Sequence, residues 1–243
     1  ASVALPGSGE GGVLVALDGV TPPSGPTGCL HSVPWFTARL GGALTELAVS
    51  LMDVPPAEVL SRAIVRTAET HREGCDLSHP RTPQATVVLG RWSPESVEYL
   101  VLSDSALLVE GSDGVVTPVL DDRLARLPRA SLATDALIDA HLRNKEGGFF
   151  TAAADPSVAG RAVTGVLPRG EVRALAALTD GATRWVEKFR EGDWGDCFTF
   201  VRKEGAQGLV DRVRTLERAD AEERTYLGRS KTHDDATVVY VEF

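Results

Sequence analysis

Residues 13–19 read VLVALDG, from Val13 to Gly19. A short unbroken apolar run fits a buried strand better than an amphipathic helix, and Asp18 followed by Gly19 ends it at a turn. The preceding residues 1–5, ASVAL, alternate like a strand, so the glycine-rich stretch PGSGEGG between them predicts a hairpin. What matters is where the carboxylate falls. At the mouth of a buried strand, Asp18 must be solvated or share its charge with a cation.

The same grammar recurs along the chain. LTDGAT places Asp180 after a hydrophobic run, HDDATVV places Asp234 and Asp235 before one, and VLSDSALLV sets Asp104 between two. Carboxylates at strand ends of one core can converge on a point, and convergence without a counter-ion is costly. A cluster of Asp with no His or Cys partner points to hard divalent cations, Mg²⁺ or Mn²⁺, rather than zinc. Taken singly, each Asp-Gly is an ordinary turn dipeptide; order, spacing and flanks carry the signal.

Working outward, the loop VTPPSGPTG leads to apolar residues at Phe36, Leu40, Leu44, Leu47 and Leu51, which is helical spacing. A second helix starts near Pro55 and Pro56, with Val59, Leu60, Ala63, Ile64 and Ala68 as its stripe, and ends near His71. ATVVLGRW, SVEYLVLSD, SALLVEG and GVVTPV read as a meander of strands. A polar helix is expected over 131–144, followed by an irregular Gly- and Pro-rich stretch to about residue 170, and VRALAALTDG is another buried strand. Helices over 182–190 and 206–218 and a last strand over 237–243 complete the chain. Runs of strands and runs of helices predict an α+β protein, with residues 1–243 as one domain.

Composition narrows the class. The chain has 243 residues, 43% hydrophobic and 24% charged, which excludes disordered and fibrous classes. A net charge of −9 disfavours nucleic acid and anionic membrane surfaces as partners. The longest apolar stretch, residues 33–54, carries Arg39 and Glu46, so no segment reaches the roughly 18 uncharged residues of a membrane span. Three scattered cysteines, Cys29, Cys75 and Cys197, fit a reducing, cytoplasmic setting better than a disulfide framework.

Taken together, VLVALDGV, TPQATVVLGRW, YLVLSDSALLV, LAALTDGATR and KTHDDATVVYVEF resemble, in order and over essentially the whole chain, the metal-dependent protein phosphatases of PP2C (PPM) type, most closely their compact actinobacterial branch. The resemblance implies a four-layer α-β-β-α sandwich of two antiparallel sheets flanked by helix pairs. It implies a phosphomonoester hydrolase for phosphoserine and phosphothreonine in proteins, dependent on Mn²⁺ or Mg²⁺, with two ions and a more weakly held third activating a water. By position, Asp18 resembles the bridging aspartate, Gly19 the residue whose carbonyl meets the second ion, Asp180 and Asp234 the remaining metal aspartates, and Asp104 the ligand of the third ion. Asp235 stands where the family usually has Asn, so it is expected to bond locally or face solvent.

The departures are equally specific. The family's Arg and Glu-Asp pair, which precede the segment matching ASVAL, have no counterpart before Ala1, and further residues are expected upstream. The family's loop His after the first Asp-Gly is absent, with His31 the nearest substitute, and SDSA lacks the usual Gly. A fold-retaining regulatory or binding module is therefore the alternative reading, and a hydrolase for small phosphorylated molecules a third. Arg169 and Arg184 are the basic residues nearest the motifs and candidates to touch phosphate. His71, Cys75 and His79 are spaced four apart, but tetrahedral zinc needs further ligands, so this segment is expected to be a helix end running into a loop. No P-loop and no Gly-x-Ser-x-Gly elbow is present.

Overall fold

The computed structural model describes residues 1–5, 11–21, 25–223 and 232–243. Two antiparallel sheets form its centre. The first contains β1 (Ser2–Ala4), β2 (Gly12–Gly19), β3 (Ala85–Trp92), β4 (Ser96–Leu102) and β7 (Val163–Pro168), in the order β1-β2-β3-β4-β7. The second contains β5 (Ala106–Gly111), β6 (Val116–Leu120), β8 (Val172–Leu178) and β9 (Val238–Glu242), in the order β6-β5-β8-β9. The expected hairpin is present, with Ser2 opposite Val15 and Ala4 opposite Val13, while part of its joining turn lies outside the described residues.

Why two sheets and four layers follows from the period-2 alternation of strands buried on both faces. In β2, Val13 and Val15 pack under helices, whereas Leu14 and Ala16 pack between the sheets. In β8, Ala174, Ala176 and Leu178 face a second helical layer, whereas Leu175 and Ala177 meet the first sheet. Helices α1 (Val33–Ser50) and α2 (Pro56–Glu69) cover the first sheet through Phe36, Leu40, Leu44, Leu60 and Ile64. Helices α5 (Asp180–Glu187) and α6 (Trp194–Glu223) cover the second through Trp185, Phe198, Leu209 and Val213. Gly205, at φ 80°, breaks α6 into two segments, so the helical run begins a full segment earlier than the 206–218 stripe predicts.

Three other expectations change. The four strands from residue 85 onward are not one meander: β3 and β4 belong to the first sheet, β5 and β6 to the second, and the chain crosses between sheets at residues 103–105. The helix expected over 131–144 shrinks to α4 (Asp135–His141), because the Thr134 hydroxyl caps it by accepting from the Leu137 N–H and Asn144, at φ 53°, lies beyond its end. A short helix, α3 (Arg123–Arg126), precedes it. The irregular Gly- and Pro-rich stretch contains β7, an edge strand whose alternating exposure hides it from a search for apolar runs.

One buried cation ties helices to sheet. Arg91 on β3 is 1% exposed. Its guanidinium pairs with Glu98 on β4 and donates to the Leu51 carbonyl at 2.8 Å and the Val54 carbonyl at 2.9 Å, in the turn between α1 and α2. Removing the cation would take a buried donor from the Glu98 carboxylate and from both carbonyls, of which Leu51 keeps the Val54 N–H at 3.1 Å. Arg91→Leu is expected to lower stability by about 3–5 kcal/mol, measured as a reduced urea midpoint with an unchanged slope.

Candidate metal centre

Antiparallel register carries the four aspartates to one end of the sandwich. Asp18 is the penultimate residue of β2, opposite Thr86 near the start of β3. Asp104 lies in the crossing between β4 and β5, and β5 begins at Ala106, opposite Leu178, the last residue of β8. Two residues later comes Asp180, the first residue of α5, and Leu178 pairs in turn with Val238, just after Asp234 and Asp235. The first sheet thus supplies one carboxylate, the second sheet two, and the connection between them the fourth.

These carboxylates feel one another. Burial and the charges of Asp180, Asp104 and Asp234 all act on the Asp18 carboxyl. Burial pushes the Asp18 carboxyl up to about 8, with the Asp180 charge as the next cause. Burial and then the Asp180 charge push Asp104 up to about 6, while burial and then the Asp234 charge raise Asp180. The buried Asp180 Oδ1 has no hydrogen-bond partner among the described residues. An oxygen-only donor set, crowded with like charge and holding an orphaned oxygen, is one that a hard divalent cation fits.

The supports are local. The Asp18 N–H donates to Thr86 Oγ1 at 3.2 Å, and that hydroxyl pairs with Ser105 Oγ at 2.7 Å, linking β2 to the Asp104 turn. Ser103 stands where the family resemblance leads one to expect Gly, and it adopts φ 71°, a left-handed conformation that Gly takes without steric cost. Its N–H donates to Asp121 Oδ2 at 2.8 Å, and Arg123 grips Asp121 at 2.6 Å. Gly181 permits a close approach: a Cβ there would lie 2.0 Å from the Asp235 carbonyl oxygen. Gly19 serves likewise, since a Cβ would strike Val33 at 2.3 Å.

Several candidate roles move. Arg184 is not poised for phosphate; it is 1% exposed, paired with Glu217 and bonded to Asp234 Oδ2 at 2.8 Å. Arg169 lies in the connection between β7 and β8, at the end of β8 away from Asp180, with its guanidinium 4.0 Å from the Phe243 ring centre. Asp235 is exposed, in keeping with the expectation that it bonds locally or faces solvent. Sequence reading missed Thr86, Ser105, Asp121, Arg123 and Glu217. Only Glu217 had a usable signal, since it continues the four-residue spacing of Leu209 and Val213 on the buried face of α6.

The cysteine reading needs correction. Cys29 and Cys75 are joined in a disulfide, and His31 and His71 converge on the same pair, while His79 turns its Nδ1 to the Arg81 N–H at 3.1 Å. His31 is thereby drawn into this cluster, stacked on Trp35 with ring centres 3.9 Å apart. Among the described residues no helix is long and apolar enough to cross a membrane.

The raised carboxyls give metal-free protein a definite pH response. A carboxyl that binds its proton more tightly folded than unfolded stabilises the fold at low pH and loses that contribution as pH rises through the folded value. Between about pH 4 and about pH 8, unfolding free energy of EDTA-treated protein is expected to fall and then level off, because the unfolded chain releases the Asp18 proton near 3.8 while the fold keeps it up to about 8. Asp18→Asn should flatten that slope, read from urea titrations across the interval.

No model of a known protein family matches the sequence, and no curated protein matches it. Solved structures do. The chain is similar to the serine/threonine phosphatase Stp1 from Staphylococcus aureus, with a TM-score of 0.54, 12% identity, and 100% of this chain and 87% of that one covered. It is similar to a serine-threonine phosphatase 2C from Toxoplasma gondii, with a TM-score of 0.55, 14% identity, and 98% and 87% coverage. It is also similar to the serine/threonine phosphatase PstP/Ppp from Mycobacterium tuberculosis, with a TM-score of 0.50, 15% identity, and 95% and 87% coverage. Two antiparallel sheets between helix pairs, in this order and over nearly the whole length, give the chain the fold of the PP2C-type serine/threonine phosphatases.

Proposed function

We propose that the chain is a Mn²⁺- or Mg²⁺-dependent phosphomonoester hydrolase acting on phosphoserine and phosphothreonine in proteins. One observation carries the reading: Asp18 and Asp180, from different sheets and far apart in sequence, are buried close enough to raise each other's carboxyl, with Asp104 and Asp234 near enough to act on them. Asp18, Asp180 and Asp234, with the Gly19 carbonyl, would hold two ions, and Asp104 a weaker third. When bound, the ions supply a nucleophilic water of lowered pKa and charge that stabilises the transferring phosphoryl oxygens. The chain itself positions. Thr86 and Ser105 hold Asp18 beside the Asp104 turn, the Asp121–Arg123 pair fixes that turn, and Arg184 orients the Asp234 carboxylate. No side chain is assigned as a covalent nucleophile.

Activity toward a phosphopeptide or p-nitrophenyl phosphate is expected with Mn²⁺ or Mg²⁺ and should disappear with EDTA. Asp180→Asn should reduce turnover by at least about a hundredfold without unfolding the protein. Turnover that survives both treatments would sink the proposal.

A second reading, a fold-retaining regulatory or binding module, is favoured by a separate observation. Arg184 already neutralises Asp234, and His31 is engaged in the cysteine cluster. Calorimetric titration with Mn²⁺ separates the two. The enzyme reading expects saturable binding that Asp18→Asn weakens by about tenfold or more; heat-silent titrations with no turnover support the module.

A further inference from the structure

Cys29, His31, His71 and Cys75 come from two segments 40 residues apart, and their ligand atoms all lie within 4.8 Å of one another. Cys29 and His31 are in the loop that follows β2, and His71 and Cys75 in the turns that follow α2. His71 Nδ1 lies 3.4 Å from Cys29 Sγ, while His31 Nδ1 lies 3.7 Å from Cys29 Sγ and 3.5 Å from Cys75 Sγ. A disulfide accounts for two of these side chains and not for the other two, because its sulfurs are weak acceptors that gain little from two imidazoles. A tetrahedral zinc ion accounts for all four. With Zn–S near 2.3 Å and Zn–N near 2.05 Å, sulfur and nitrogen ligands sit about 3.5 Å apart, which is the separation found.

We propose that, with the cysteines as thiols, Cys29, His31, His71 and Cys75 form a closed Cys₂His₂ zinc site separate from the aspartate centre. Binding of Zn²⁺ releases the two thiol protons and leaves a neutral complex of two thiolates, two neutral imidazoles and one ion. With four protein ligands there is no open position, so the site is structural rather than catalytic.

Its surroundings are built for that role. The His31 N–H donates to Cys29 Sγ at 3.4 Å, the kind of donor that stabilises a thiolate ligand. The Asp76 N–H donates to the Gly28 carbonyl at 2.7 Å, fastening the two ligand-bearing loops beside the cluster. Gly28, at φ 71°, packs against His79 so closely that a Cβ would lie 2.5 Å from it. His71 is 3% exposed and faces Trp35 and Phe36, which shield one side. The ion would pin the loop after Asp18 and Gly19 to the end of α2. His31 and Thr27 also line a cavity of about 350 Å³ with Val20, Thr21 and Arg81, so the same ion would set one wall of that pocket.

The test uses the full chain, treated with a thiol reductant, loaded with Zn²⁺ and freed of excess. Elemental analysis should give about one zinc per chain, falling below about a tenth in Cys29→Ser/Cys75→Ser. Cobalt substitution should give the intense visible bands of a tetrahedral ion and a thiolate-to-cobalt charge-transfer band, both lost in that variant. The cobalt spectrum of the unmutated chain needs no variant, so a double variant that fails to fold does not obscure the answer. Reduced protein that takes up no zinc and shows no charge-transfer band overturns the proposal, leaving the pair a disulfide. Zinc retained in full by the folded double variant also overturns it, by placing the ion elsewhere. Asp180→Asn should leave the zinc content unchanged, so failure of the phosphatase reading is distinguishable from failure of this one.

Discussion

The Asp18 and Asp180 carboxyls belong to elements of different sheets, Asp18 to β2 and Asp180 to the start of α5 just after β8, and they act on each other only if those sheets stack in one register. Carboxylates repel unless a proton or a cation lies between them, so folding alone would not bring them together; packing does. Leu14 and Ala16 on β2 meet Leu175 and Ala177 on β8 in the layer between the sheets. A slip of one residue in either strand would turn those side chains outward and separate the acids. Hydrophobic burial thus holds an electrostatically unfavourable cluster in place, as expected where function rather than stability selects the residues.

The charges buried elsewhere serve a different end. Arg91 binds the α1–α2 turn to the first sheet, Arg184 joins α5 to α6 through Glu217, and Glu110 on β5 is held by Arg202 on α6. Each joins different elements, and each is nearly or fully buried at one partner at least. Such pairs contribute little net stability over apolar packing but penalise arrangements that leave one partner alone. Arg184 does double service, because its second nitrogen fixes Asp234 at the candidate centre. Core architecture and site geometry are coupled there through a single guanidinium.

The loop after Asp18 and Gly19 links the two proposed ion sites. Its start belongs to the aspartate centre and its end carries Cys29 and His31. A chain anchored at both ends loses less entropy on ordering than one free to wander, which is one reason to fasten a loop near a reactive centre. The departure from the family's loop, visible as VTPPSGPTGCLH where a His close to Asp-Gly is usual, is then an exchange of one local role for another.

How much was legible depended on the range of the interaction. The strands VLVAL and LAAL, the stripes of α1 and α2, and the carboxylates at strand ends are local patterns, and they identified the α+β class and marked four aspartates as candidates. Edge strand β7 was hidden because its exposed alternation and glycine resemble a loop, and the N-terminal half of α6 because Gly205 interrupts it. Thr86, Ser105 and Asp121 have no sequence mark as site supports, since their meaning comes from partners up to 68 residues away. The Cys29–Cys75 pair was misjudged for the same reason: 46 residues of separation say nothing of distance in space. By itself the sequence determined which residues could carry charge at the end of a strand, because alternation and turns are short-range. Which of those charges meet, and which cysteines and histidines share a point, only the stacking of two sheets between two helix pairs decided, because that stacking is set by side chains from the whole chain at once.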